Sequence, residues 1–153
     1  MNEPLIDTWR IHNRINLYLL DSLDESFLKD VSASKGRTVG AQFAHVHNVR
    51  LLWAKAAAPE FLDGVDKFEQ PDELTKPILK NALEKSSHAI ELLLAKAFSE
   101  GKLKGFKPHP QAFLGYLISH ESHHRGQIML TLKQSGHPVD KKIAFGIWEW
   151  GVR

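Results

Sequence analysis

The 153-residue sequence carries a net charge of +2, and its 42% hydrophobic and 25% charged residues are typical of one soluble globular domain over residues 1–153. It contains no cysteine, which excludes disulfides and cysteine-ligated zinc, and its even charge balance argues against nucleic-acid binding. The sequence has neither a signal-like N-terminus nor an apolar run of about 20 residues, so we expect a cytoplasmic protein without membrane contact.

Four segments have the hydrophobic periodicity of α-helices. In chain order they cover residues 3–30, 38–57, 76–100 and 110–135. Thr38 and Thr75 are suitable N-caps for the second and third helices, and Gly101 is a suitable stop for the third. No long period-2 run and no hairpin turn signal predict a β-strand.

These four helices predict an all-α fold, a four-helix bundle. The connectors are longer than is usual in simple bundles, so at least one is expected to cross the end of the bundle. The segment after the fourth helix is too apolar for a free end. We expect it to pack on the bundle or on a partner subunit, as a short helix or an extended segment. Its large apolar residues are Ile143, Phe145, Ile147, Trp148 and Trp150.

The stretch HESHHRGQ, residues 120–127, contains the H-E-x-x-H pattern of zinc proteases, in which the glutamate is the general base. The extended form of that signature fails, because Gln127 and Leu130 stand where glycine and histidine are required. On a helix Glu121 projects about 100° away from His120, so we expect it at the surface. No sheet is predicted to hold a peptide substrate. A metalloprotease is therefore the least favoured interpretation.

Helical geometry instead pairs two of these histidines. His120 and His124 differ by about 40° and lie one turn apart on a mostly apolar face. His123 lies toward the edge of that face and is a weaker candidate for binding a metal. In the second helix His45 and His47 differ by about 200°, so only one can point inward. His45 has the more apolar neighbours and is favoured, and His47 stays the alternative.

Three inward histidines are a sufficient ligand set for a catalytic divalent ion such as zinc, nickel or iron. Neutral imidazoles leave the full charge on the metal, which lowers the pKa of a bound water or thiol. Gln127 is close to His120 in helical angle and is positioned to orient a ligand. Asn13 and Asn16 either face the same cavity or form hydrogen bonds in the core.

The remaining polar residues of interest have simpler expectations. His12 and His88 are expected on solvated helix faces, and His109 and His137 in turns. Gly126, in the middle of a helix, is expected to allow close packing. Arg125 is expected to bind a helix C-terminus or a carboxylate, or to have no specific partner.

The motifs in the second and fourth helices together resemble the DinB/YfiT-like metal-dependent proteins. The segments are FAHVHNVRLLW, in which His45 precedes Trp53 by eight residues, and ISHESHHRGQIMLTLKQSG, which contains H-x-x-x-H-R-G-Q. The resemblance implies an up-down-down-up bundle, frequent homodimers and a divalent ion on His45, His120 and His124. The family includes transferases and isomerases that use low-molecular-weight thiols such as bacillithiol or mycothiol, and members without known activity.

Two functional hypotheses follow. The first is a metal-dependent enzyme, a thiol S-transferase or a hydrolase, that acts on a small-molecule substrate, with His123 or Gln127 assisting proton transfer or orientation. The second is a non-catalytic metal-binding or stress-associated protein. A structural zinc site closes its coordination with four protein ligands. Only three inward histidines are evident, which favours the enzyme.

Overall fold

The computed structural model describes residues 2–70 and 72–153, which form four long helices and a short fifth one. The helices are α1 (Glu3–Asp21), α2 (Val39–Ala57), α3 (Lys76–Glu100), α4 (Pro110–Gln134) and α5 (Lys141–Gly146). Short 3-10 turns cover Glu25–Lys29, Pro59–Leu62 and Trp150–Val152. No strand occurs in these ranges, and none of their helices is long and apolar enough to span a membrane. The predicted all-α fold is confirmed.

The ends of α2 and α3 follow from their predicted caps. Thr38 Oγ1 accepts a hydrogen bond from the Ala41 amide at 3.0 Å, and Thr75 Oγ1 accepts one from the Ile78 amide at 3.3 Å. Gly101 ends α3 in the left-handed conformation, with φ of 70°. These helices therefore begin and end within one residue of the prediction.

The prediction of one first helix over residues 3–30 is wrong, because α1 ends at Asp21. Lys76 Nζ donates to the main-chain oxygens of Asp21 and Leu23, so a side chain supplies these carbonyls with the donor that a further helical turn would otherwise provide. Asp24 then accepts a hydrogen bond from the Ser26 amide at 2.9 Å and starts the separate 3-10 turn. The hydrophobic periodicity continues across this break, so the break was not visible in the sequence.

The helix directions follow from contacts between helices. His12 contacts Glu121 and Asn16 contacts Arg125, so α1 and α4 run parallel. The N-terminal half of α2 packs on the N-terminal half of α3. Ala57 at the end of α2 and Leu93 in the C-terminal half of α3 line the same cavity, so these two helices are also parallel. Their direction is opposite to that of α4. Gln42, early in α2, contacts His124 in the second half of α4, and Trp53, late in α2, contacts Phe113 at the start of α4. The topology is therefore up-down-down-up, and the connection between α2 and α3, described over residues 58–70 and 72–75, carries the chain back along the bundle.

Two apolar clusters fill the two halves of the bundle. The first cluster includes Trp9, Ile90, Leu94, Phe113 and Leu117, and the second includes Leu19, Phe43, Leu83, Ile128 and Leu132. Between them every long helix contributes buried polar side chains. We call these the polar layer: His12, Asn13, Asn16, Arg50, Ser86, Glu121 and Arg125. Such groups are tolerated inside a bundle only if their hydrogen bonds are made.

The centre of the polar layer is an ion pair between Arg50 and Glu121, which are 0% and 1% exposed. Arg50 Nε donates to Oε2 at 2.8 Å and Nη2 donates to Oε1 at 2.6 Å, so the contact is bidentate. The expectation that Glu121 lies at the surface is wrong. An ionised carboxylate is stable at this depth because Arg50 reaches it from the neighbouring helix.

The α1 side of the polar layer completes the bonding of the carboxylate. His12 Nε2 and Asn16 Nδ2 both donate to Glu121 Oε1 at 3.0 Å, and Asn13 Oδ1 accepts from Arg50 at 2.9 Å. His12 is fully buried, so its predicted solvated position is wrong. Asn13 and Asn16 form core hydrogen bonds, which was one of the two alternatives for them.

The C-terminal segment packs on α1, as predicted. The Arg153 guanidinium lies 3.7 Å from the centre of the Tyr18 ring, and the Arg153 main-chain oxygen accepts a bond from Arg14 at 3.1 Å. Ile147 is buried, but Phe145 and Trp148 are 69% and 74% exposed. The bundle therefore does not cover these two, and the alternative that they pack on a partner subunit stays a prediction.

Replacing Glu121 with Gln is expected to lower the free energy of unfolding by about 3–5 kcal/mol, because the buried Arg50 charge loses its counter-charge. Urea denaturation at neutral pH measures this change. The exposed Glu149→Gln substitution removes the same charge from the C-terminal segment and should change stability by no more than about 0.5 kcal/mol. Equal effects of the two substitutions would contradict a structural ion pair.

The same pair predicts how stability depends on pH. Burial raises the pKa of Glu121, but the charge and hydrogen bonds of Arg50 and the bond from His12 outweigh it and hold the pKa at about 2. A carboxyl with a lowered folded pKa contributes stability above its unfolded pKa of about 4.3, and this contribution is lost as the pH falls toward 2. The stability difference between wild type and Glu121→Gln should therefore be constant near neutral pH and shrink by about 3 kcal/mol in acid. A pH-independent difference would show that Glu121 is not ionised.

Candidate metal site between α2 and α4

Three histidines converge where the antiparallel helices α2 and α4 face each other. His45 comes from α2 and His120 and His124 from α4, and one ring nitrogen of each lies within 4.8 Å of the others. The Nε2 atoms of His120 and His124 are 3.1 Å apart. The rings of His45 and His124 are 4.6 Å apart between centroids. We call this cluster the histidine triad.

The structure also decides which histidine of α2 joins the triad. His47 is buried on the other side of α2, where its Nε2 atom lies 2.8 Å from the main-chain oxygen of Asp66 and its ring contacts Phe68. His45 is half-buried and faces the two histidines of α4. The helical angle of about 200° between these residues places one on each side of the helix, as predicted.

Two glutamines orient the ring of His124. Its Nδ1–H is shared between Gln42 Oε1 at 2.8 Å and Gln127 Oε1 at 3.0 Å. With the proton held at Nδ1, Nε2 carries the lone pair that a metal requires. Gln127 therefore has the orienting position that the sequence suggested. Gln42 was missed, although it lies three residues before His45 on α2 and so on a neighbouring part of its surface.

All three rings favour the neutral, metal-binding form. Burial is the main cause that lowers the pKa of His45, His120 and His124, and for His124 it acts together with the nearby charges of the other histidines and brings the pKa to about 4. The charge of Arg37 lowers the pKa of His45 further. At neutral pH the triad therefore presents lone pairs rather than protons.

The triad fits a divalent ion in one further respect. His120 and His124 point their Nε2 atoms at each other, and only one proton can occupy that contact. Because Gln42 and Gln127 keep the proton of His124 at Nδ1, His120 must donate through Nε2, which leaves its buried Nδ1 without a partner in the described residues. A cation in this place would be bound by the lone pairs of both Nε2 atoms, and His120 would then carry its proton at Nδ1.

The surroundings of the triad differ on its two sides. Toward the end of α2, Tyr116 stacks near His120 with 6.3 Å between centroids, and Trp53 packs edge-on against Tyr116 at 5.6 Å. On the other side, His45 borders a cavity of about 270 Å³. The cavity is lined by residues of α2, by Arg37 and, in the connection between α2 and α3, by Phe68, Glu69, Gln70, Asp72 and Leu74. A small molecule can therefore approach the triad beside His45.

The zinc-protease interpretation fails on the position of Glu121. Both of its carboxylate oxygens bind Arg50 inside the bundle, so it cannot activate water at an open metal site. His123 is exposed, with its ring centroid 5.1 Å from that of His124, and lies at the rim of the site. The cluster of metal-binding groups in the described residues contains the three histidines and no carboxylate.

The model of the DinB family matches residues 1–142, and the chain belongs to this family. The match covers all four long helices and the triad. Residues 143–153 lie outside it. No curated protein matches the chain.

Gln42→Leu is expected to weaken Zn²⁺ binding about tenfold, because it removes one acceptor that holds the proton of His124 at Nδ1. The double substitution Gln42→Leu/Gln127→Leu should weaken it by about a hundredfold. Competition with a chromophoric chelator measures the Kd. Gln111→Leu, an exposed substitution on α4, is the matched control. An unchanged Kd in the double variant would contradict the orienting role.

Proposed function

We propose that this chain is a divalent-metal-dependent enzyme that acts on a small molecule, of the thiol S-transferase or hydrolase type. The observation that supports it is the set of three neutral imidazoles, held by two helices, without a fourth protein ligand in the described residues. A structural zinc site has four protein ligands, whereas a catalytic site leaves a position for substrate. Zinc, nickel and iron all suit nitrogen ligands.

The residues around the triad have distinct roles in this proposal. His45, His120 and His124 hold the ion, which supplies a Lewis acid that lowers the pKa of a thiol or water. Gln42 and Gln127 fix the ring of His124. His123, at the rim, accepts the proton from the thiol sulfur. The sulfur then bonds to an electrophilic carbon of the substrate, and the leaving group departs with the electron pair of the broken bond.

The choice of a thiol as the nucleophile rests on family membership rather than on the geometry of the triad. The DinB/YfiT-like proteins that the sequence resembles include thiol-dependent transferases, and the cavity beside His45 has room for a small cofactor. Water in the same place would make the enzyme a hydrolase. The expected homodimer and cytoplasmic location stay predictions.

Metal content tests the triad directly. Untagged wild-type protein is expected to carry about one divalent ion per chain by plasma mass spectrometry, and His45→Ala and His124→Ala to lose it. His88→Ala, an exposed substitution on α3, should keep it. Metal that persists in His45→Ala would place the third ligand elsewhere. A wild type that stays metal-free after reconstitution would contradict the enzyme and leave a binding role.

Turnover separates the enzyme from a non-catalytic metal protein. Metal-loaded wild type is expected to consume monochlorobimane in the presence of one of a panel of low-molecular-weight thiols. His123→Asn should retain the metal and lower kcat about a hundredfold, because it removes the proton acceptor. A metal-loaded wild type that neither transfers a thiol nor hydrolyses small esters would support the non-catalytic alternative.

A further inference from the structure

Arg125 is a buried cation without a carboxylate partner. It is 9% exposed, and it donates to Asn16 Oδ1 at 2.6 Å and to Ser122 Oγ at 3.2 Å. A guanidinium has five N–H groups, and no described residue forms an ion pair with this one. The nearest acid in the polar layer, Glu121, already binds Arg50 through both oxygens. A buried charge in this condition is costly, which points to an anion from outside the chain.

Arg125 also lines a cavity of about 390 Å³ between α4 and the C-terminal segment. The walls are mainly apolar and are formed by Ile118, Met129, Ile147, Trp148 and Trp150, with Ser122, Arg125 and Gly126 from α4. Trp148 is 74% exposed. Apolar walls with one or two convergent polar groups are typical of small-molecule sites of this size.

Gly126 leaves part of this space open. A Cβ built on Gly126 meets no atom within 4 Å, so the glycine does not serve close packing within the chain, contrary to the sequence-based expectation. Glycine in the middle of a helix costs about 1 kcal/mol relative to alanine. The open space beside Gly126 borders the same cavity that Arg125 lines.

The cavity is separate from the histidine triad. On α4, Arg125 and Met129 lie about 140° and 180° around the helix from His120, so the cavity and the triad are on opposite sides. Its walls also include Ile147, Trp148 and Trp150, which lie beyond the family match at residue 142. The site is thus built partly from a segment outside the family match.

We infer that this cavity binds a small organic carboxylate with an apolar body. Its carboxylate would accept hydrogen bonds from the unused N–H groups of Arg125, with Ser122 beside it. The apolar body would lie against Met129 and Trp148 and would cover apolar surface that the chain itself leaves exposed. The inference does not depend on the proposed enzymatic function, because it uses none of the triad residues.

Calorimetric titration of the metal-loaded full chain with phenylacetate and octanoate tests this site. At least one of the two carboxylates should bind, with one molecule per chain. Phenylacetamide, which has the shape of phenylacetate without its charge, should bind at least about tenfold more weakly than phenylacetate. Binding should persist in His45→Ala, which separates this cavity from a carboxylate on the triad metal. Arg125→Gln should weaken binding at least about tenfold.

Glycine substitutions keep the test valid if Arg125→Gln does not fold. Gly126→Leu should fill the cavity and abolish binding, whereas Gly115→Leu, also at an exposed α4 glycine with no atom within 4 Å of its Cβ, should leave it unchanged. Absence of carboxylate binding to wild type up to about 10 mM would overturn the inference. So would binding that is unaffected by Gly126→Leu or lost in His45→Ala. A wild-type dimer that Gly126→Leu converts to monomers would overturn it too, because the occupant would then be a second copy.

Discussion

The ion pair between Arg50 and Glu121 is the interaction on which the rest of this bundle depends. Every N–H of Arg50 has an acceptor, since the guanidinium also donates to the main-chain oxygen of Leu83 at 3.0 Å and to Ser86 at 3.2 Å, and it lies 4.9 Å from the Trp9 ring centre. One side chain thus reaches three other helices. Apolar side chains alone permit small shifts along a bundle, whereas a bidentate ion pair with fixed geometry allows one register.

This register also determines the geometry of the candidate metal site. Arg50 follows His45 by five residues on α2, and Glu121 directly follows His120 on α4. The ion pair and the triad therefore connect the same two helices at nearly the same level, one inside the core and one near the surface. A shift of α4 by one turn, about 5.4 Å, would separate the imidazole nitrogens and break the ion pair together.

Local patterns predicted most of the fold and all three triad positions, because the apolar neighbours of His45 favoured it over His47. Periodicity and caps located α2, α3 and α4, and the four-residue spacing placed His120 and His124 on one face. The polar layer was not predictable in the same way, because charged residues are usually exposed and nothing local pairs Arg50 with Glu121 across 71 residues. For the same reason His12 was assigned to the surface and Gln42 was missed: each depends on a partner from a distant helix.

The up-down-down-up topology has a consequence for how such a site can diversify. Two parallel neighbours, α2 and α3, cannot be joined by a tight turn, so the chain needs a long crossover between Ala57 and Lys76. Phe68, Glu69 and Asp72 of that crossover line the approach to His45. A connection imposed by topology thus also forms one wall of the cavity beside the triad. Because Glu69 and Asp72 lie outside both apolar clusters, changes there can alter the shape and charge of this cavity while the helices and the three histidines stay as they are.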